Sequence, residues 1–390
     1  MSVGTLSWLD DLRAKGRARF AETGLPSRKD EAWKFTGLNK LRALGLEPSG
    51  PPHGLSGLSG SVGPLPNGVA LGSLAELLRR NPAIVERHLG KLIDVDRRPM
   101  AALNTAWIED GLVLIVPDGV VLDRPIETTW ASTGNETVYP RHLIVLGRAA
   151  EAVIVERHSS KGGFSNSVFE IALGAGANLR HYALHEESEA ALVTTTIAAE
   201  IGRAATYQTF ALTAGGGLVR REIEARLVGE GGSVRVDGAY LVDGRRHADT
   251  TVLVDHRVPH CSSRQTQKGI VDDHGHAVFQ GKILVRPGAQ QTDGNQSSQT
   301  LLLSRDAEID VKPELEIHAD DVKCSHGATS GRLDENALFY LRSRGVPERE
   351  ARALLIQGFI DGALDEIDHE GVRETFKAAA AGWLAKRVAA

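Results

Sequence analysis

The hydrophobic pattern changes character twice along the chain. From Leu6 to Ala21 the apolar residues Leu6, Leu9, Leu12 and Phe20 recur at helical spacing among charges. Leu74 to Leu89 repeats that style behind Ser73, a suitable N-cap. Between them, residues 48–68 (PSGPPHGLSGLSGSVGPLPNG) are crowded with Gly, Pro and Ser and read as a linker or long loop. From about Thr105 to Thr329 the texture becomes short β-branched runs: LVLIVP (112–117), HLIVLG (142–147), AVIVERH (152–158), LVTTTIAAEI (192–201), SVRVDGAYLV (233–242) and AVFQGKILV (277–285).

Glycine-containing turns separate these runs, and no helical segment suited to βαβ crossovers lies between them, which argues against a doubly wound nucleotide-binding sheet. The turn glycines Gly174, Gly202 and Gly229 recur every 27 to 28 residues in segments that look like variants of one unit. Weak self-similarity also occurs in antiparallel sandwiches, but the fixed period favours a β-solenoid, in which each coil closes its apolar face against the next. After Asp334 the pattern is helical again. ENALFYLRSRG ends at a glycine, and VPEREARALLIQGFIDGALDEI has Pro347 at its start, acids in its first turn, and Leu354, Leu355, Phe359 and Leu364 along one side. Trp383 and Leu384 close a last amphipathic helix. The expected plan is mainly β: an N-terminal helical region (1–100), a β-solenoid core (101–332) and a C-terminal helical region (333–390).

Composition narrows the function. The 390 residues carry a net charge of -5, with no basic footprint for nucleic acid. No run approaches the roughly 18 apolar residues that span a bilayer, and the first 20 residues lack the apolar core of a secretory signal, so the expected location is cytoplasmic. Two cysteines, Cys261 and Cys324, make no disulfide framework. No G-x-x-x-x-G-K-[ST] loop is present, and the glycine-rich AGGGLVRRE (214–222) lacks the lysine and hydroxyl that would complete one. No G-x-S-x-G elbow is visible either. The expectation is a chain that is not itself an enzyme and takes any nucleotide-driven work from a partner.

The candidate chemistry centres on Cys324 and His326. In an extended strand residues i and i+2 share a face, so a thiolate and an imidazole would meet one soft metal ion or cluster. Lys323 would favour the thiolate by its charge. Two ligands are half a site, since a closed tetrahedral site or a cluster takes about four. The competing role for Cys324 is that of a small buried hydrophobe. Glu316, His318 and Asp320 share its parity if the strand runs unbroken, but the Asp320-Asp321 pair marks a corner and makes them a solvated rim. An alternative reading is a stand-alone β-helix hydrolase using the H-x-H pair His274 and His276, or the group His256, His260 and Cys261, with Asp273 or Asp255 as carboxylate. Exposed turn residues explain the same letters.

Five segments together suggest a family: PSRKDEAWKFTGL (26–38), ALNTAWIEDGLVLIVPDGV (102–120), QTDGNQSSQTLLLS (291–304), ELEIHADDVKCSHGATSGRLDENALFYLRSRG (314–345) and ARALLIQGF (351–359). They resemble the SufB/SufD family of scaffold subunits in the SUF iron-sulfur cluster assembly system. The tryptophan-containing opening motif, the chain length and the scarcity of cysteines place the resemblance on the SufD side. It implies a right-handed parallel β-helix between helical ends, pairing with a SufB paralogue, and C-terminal helices (Leu354, Leu355, Phe359, Leu364) that dock the ATPase SufC. It also implies that Cys324 and His326 fall on the family's cysteine and histidine, the histidine helping to form a transient cluster site at the SufB-SufD interface. A homodimer in the absence of SufB would use the same interface.

Overall fold

The computed structural model describes residues 6–49, 65–132 and 134–389, so most of the Gly/Pro-rich segment lies outside the described residues. The β-branched runs form two facing sheets of parallel strands, and the chain alternates between them to build a solenoid of about 8 turns. One sheet runs from Leu112–Val116 to Glu308–Ile317, the other from Ile126–Trp130 to Val322–Gly331. This is the expected β-helix rather than an antiparallel sandwich. Asn178 aligns with Thr206, Thr206 with Ser233 and Ser233 with Ser262, steps of 28, 27 and 29 residues that reproduce the glycine period.

The glycines are needed because successive turns stack backbone on backbone. A Cβ on Gly229 would lie 2.0 Å from the amide nitrogen of Arg203, and one on Gly202 would lie 2.6 Å from the carbonyl of Leu173. Gly215 of the AGGG segment meets Glu187 in the same way, at 2.4 Å from its carbonyl oxygen, so that segment is a solenoid turn.

Alternation assigns one parity of each strand to the lumen. Ile144, Phe169, Ile197, Ile223 and Val252 of one sheet face Leu179, Tyr207 and Val234 of the other in one continuous core. The opposite parity is covered by helices on both outer faces. Trp33, Leu38, Leu41, Met100 and Leu103 of the N-terminal region pack on Phe164, Leu192 and Leu218. Ile356, Ile360, Leu364, Phe376 and Trp383 of the C-terminal helices pack on Val155, Tyr182, Phe210 and Leu241. The N-terminal helix spans Ser7–Thr23; the helical pattern after Ser73 breaks at Pro82 into Leu74–Arg80 and Pro82–Glu86, with the Ser73 hydroxyl accepting from the Glu76 amide at 3.1 Å.

Polar anchors fix both coverings. The guanidinium of Arg220 lies 3.9 Å over the Trp33 ring, pairs with Asp249 and donates to the Ala32 carbonyl, which gives the DEAWKFT segment its structural purpose. Deeper, Arg141 and Glu170 form a fully buried pair at 2.7 Å. Glu170 also accepts from the Gly90 and Leu92 amides, and Arg141 donates to Asn104 and Thr105 of the ALNTAW motif. At the other end of the chain Arg387 ties the last helix to Asp243, Asp272 and Asp273.

The two ends of the solenoid differ. In the first coil the antiparallel strand Ala70–Ser73 covers the edge of Leu112–Val116, and Leu74, Leu78 and Val85 pack on Val113 and Leu143, while Ile126–Trp130 pairs only with Glu151–His158 among the described residues. The last coil, Glu308–Ile317 with Val322–Gly331, pairs on one side only among the described residues, and nearly all its residues are exposed or half-buried.

Candidate functional site

Cys324 and His326 sit on this uncovered coil. Cys324 aligns with Gly294 and His326 with the buried Gln296, so both continue lumen-facing columns to the open end. Gly294 lies under the sulfur: a Cβ there would touch Cys324 Sγ at 3.4 Å and press on Ile283 Cδ1 at 3.2 Å. Cys324 is half-buried against the Ile283, Val285 and Leu315 cluster, whereas His326 is exposed. Burial raises the Cys324 thiol above its ordinary range and the nearby Asp293 adds to that, while the Gly294 amide opposes it. Lys323 therefore does not deliver a thiolate here; alternation puts it on the other face of the strand. A cavity of about 320 Å³ at the corner where this strand begins is lined by Gln291, Thr292, Asp293, Asp321, Val322 and Lys323, and by neither Cys324 nor His326.

The acidic rim is set by a corner. One strand ends at Ile317 and the next begins at Val322, so Glu316, His318 and Asp320 do not share a face with Cys324. Glu316 is held by Lys282 at 2.5 Å and His318 at 3.0 Å, which lowers its carboxyl to about 2.

The histidine groups proposed for hydrolysis do not assemble as the letters suggest. His274 is an exposed turn residue, 3.9 Å from Asp306, while His276 pairs with Asp310 at 2.8 Å and groups with Glu308. His256 is buried against the Ser263 hydroxyl at 2.8 Å, Cys261 is core with a thiol raised by burial, and His260 stands in a turn at φ 60°. Asp255 is held by Arg257 and Arg286, and Asp273 by Arg387, so neither carboxylate is offered to a metal.

The C-terminal stripe also divides. Leu364 is fully buried against the chain's own β-helix, which corrects its assignment to a docking face; Leu355 and Phe359 are half-buried at the same seam. The exposed large apolar side chains of this region are Leu354, Phe339 and Tyr340. Sequence reasoning passed over the last two, although they stand in the quoted ENALFYLRSRG helix.

A second group of donors was missed entirely: Glu156, His158, His181, His185 and Glu187, all buried inside the β-helix. The i, i+2 spacing of Glu156 with His158 and of His185 with Glu187 is visible in AVIVERH and HYALHEE, but which parity faces inward is not.

Among the described residues no helix is long and apolar enough to cross a membrane. Residues 129–359 match the family model for the SufBD core domain of SUF system FeS cluster assembly, and residues 58–128 match the SufBD N-terminal region. An iron-sulfur cluster assembly SufBD family protein of Synechocystis is 32% identical over 383 residues, covering 88% of this chain and 84% of the relative. Iron-sulfur cluster assembly protein SufD of Escherichia coli is 30% identical, with 90% and 88% covered, and that of Bacillus subtilis 27%, with 79% and 72%. With family models matching across residues 58–359 and relatives at about 30% identity over most of its length, this chain, a parallel β-helix under two helical coverings, belongs to the SufBD family of iron-sulfur cluster assembly.

Proposed function

We propose that this chain is the SufD-type, non-enzymatic scaffold of a SUF complex, and that its open coil forms one half of an interface with a SufB paralogue. The observation that carries the reading is the asymmetry of the solenoid. At one end an antiparallel strand covers one of the two edges, while at the other both edges are unpaired among the described residues, their strands have no buried residue, and one carries a thiol and an imidazole on the lumen-facing column. Free edges are templates for strand pairing, and proteins that keep them exposed pair them with another chain. A paralogue with the same geometry continues the lateral stacking.

His326 and Cys324 then supply two donors to a transient iron-sulfur cluster, the partner supplying the rest. Imidazole and thiolate match iron's ligand preference, and His326, exposed, is the more accessible. The raised Cys324 thiol loses its proton only when iron or a partner's positive charge arrives, which makes ligation conditional on assembly. Leu354, Phe339 and Tyr340 give the C-terminal helices an apolar surface for SufC, whose ATPase supplies the energy that no phosphate loop of this chain provides. The complex is cytoplasmic, and without SufB the open coil of one copy accepts that of another as a homodimer.

Co-expression with SufB and SufC tests this. Size exclusion is expected to return a heteromeric complex, and His326→Ala to leave the complex intact while cluster formation on it fails. A chain that never co-purifies with either partner overturns the scaffold reading, and full cluster assembly by His326→Ala removes that residue from the site.

A further inference from the structure

The buried donors in the middle of the β-helix have no part in the open coil. His158 aligns with His185 across neighbouring coils, their rings stacked at 4.4 Å and 19°. One atom from each, with a carboxylate oxygen of Glu187, lie within 4.8 Å of one another. All three side chains are more than nine-tenths buried. Around them Glu156 accepts from His158 Nε2 at 3.2 Å and from His181 Nε2 at 2.5 Å, and His181 Nδ1 meets the Tyr207 hydroxyl at 3.1 Å.

The lumen is apolar along Ile144, Phe169 and Ile197 and carries neutral amides at Gln265, Gln267 and Gln296, so what filling it leaves unexplained is the carboxylates of this cluster. Ion pairs between histidine and glutamate account for much of the cluster, His185 with Glu187 included, but not for the second carboxylate oxygen of Glu187. Its Oε1 is bonded to His185 Nδ1 at 2.9 Å, while its Oε2 is buried with no hydrogen-bond partner among the described residues. A bare carboxylate oxygen in such a place is unfavourable unless a cation meets it.

We propose that His158, His185 and Glu187 form a site for a divalent transition-metal ion inside the β-helix, with Glu156 as the positioning residue that orients the His158 ring. Two imidazoles and one carboxylate are the donor set of Fe²⁺ and Zn²⁺ sites that keep a coordination position open. A carboxylate behind a ligating histidine is the usual outer shell of such sites. Ligand atoms about 3.3 Å apart suit bonds of roughly 2.0–2.1 Å, so the three donors, already within 4.8 Å of one another, need close by no more than about 1.5 Å through side-chain rotation. Access is short: Glu187 lies between exposed Glu186 and half-buried Ser188, and His158 between exposed Arg157 and Ser159. The site is separate from the open coil. The column of His185 passes through Thr213, Tyr240, Gly269 and Thr300 to Ser330, five strand spacings or roughly 24 Å.

The test uses the full-length chain, stripped of metal and titrated anaerobically with Co²⁺ as the probe. One equivalent is expected to bind with visible ligand-field absorption, and to do so equally in a Cys324→Ser/His326→Ala variant. Affinity is expected to fall at least ~100-fold in His185→Gln and in Glu187→Gln, and ~10–100-fold in Glu156→Gln. Parent-like binding by the His185 and Glu187 variants overturns the site, as does the lack of visible bands in the parent. X-ray absorption of the Zn²⁺-loaded parent decides the matter should a variant fail to fold. Two imidazoles per zinc support the site; one or none, as the His276 group would give, refutes it. Failure here leaves the interface reading intact, because that rests on partner binding by the distant coil.

Discussion

Glu170→Ala removes the centre of the buried network that binds the N-terminal region to the β-helix. In the parent, Glu170 accepts from Arg141 Nε at 3.1 Å and Nη2 at 2.7 Å, and from the Gly90 and Leu92 amides at 2.7 and 2.8 Å. Both charged side chains are fully buried. The substitution leaves an uncompensated guanidinium, which costs about 3–5 kcal/mol, and orphans two amides at about 1–3 kcal/mol each where water cannot reach them. Local relaxation recovers part of this, so a loss of about 4 kcal/mol is a conservative expectation. With an unfolding entropy of about 2.1 cal/mol/K per residue, that lowers Tm by about 5 °C if the chain unfolds as one unit. Scanning calorimetry with urea denaturation measures it. The companion variant Arg141→Met/Glu170→Leu removes both charges and is expected to recover at least half of the loss, because no bare ion remains. A Glu170→Ala loss under about 1 kcal/mol, or a double variant no more stable than the single one, would refute the reasoning.

Three further outcomes follow from particular contacts. Gly229→Ala drives a Cβ to 2.0 Å from a backbone nitrogen and is expected to lower the urea midpoint by the equivalent of at least about 2 kcal/mol, whereas Gly288→Ala, with nothing within 4 Å, stays within about 0.5 kcal/mol. Burial lowers His256 to about 4, below an unfolded value near 6.5. The unfolded chain therefore binds the proton first: stability is full above pH 6.5 and falls as pH drops towards 4, by up to about 3 kcal/mol from this residue. Denaturation midpoints in His256→Gln are expected to show a shallower acid slope than the parent's, and an unchanged slope would contradict the assignment. Arg387→Ala frees the last helix from Asp243, Asp272 and Asp273, so faster amide exchange is expected across residues 370–389, with the strands of the β-helix unaffected.

Much of the fold was legible because its signals are local. The glycine period reported backbone stacking, and β-branched runs without intervening helices excluded a doubly wound sheet. The helical pattern after Ser73 was read as one element but broke at Pro82, where proline is accepted at a new helix start more readily than inside an old one. The site was legible only in part. C-x-H spacing placed Cys324 and His326 on one face, but Lys323 stands on the other face of the strand and is not among the groups that act on the thiol, which burial and Asp293 raise.

The sequence by itself determined the period of the coil, the strand-helix order and the absence of a phosphate loop, since each depends on residues close together in the chain. Tertiary structure decided which parity of each strand looks inward, and so brought Glu156, His158, His185 and Glu187 together across neighbouring coils. It also decided that Leu364 is core while Leu354 is surface, and that one edge of the first coil is paired by Ala70–Ser73 while both edges of the coil carrying Cys324 and His326 are unpaired among the described residues. The physical reason is that a two-residue alternation is symmetric between its faces. Only the packing of distant strands and helices breaks that symmetry.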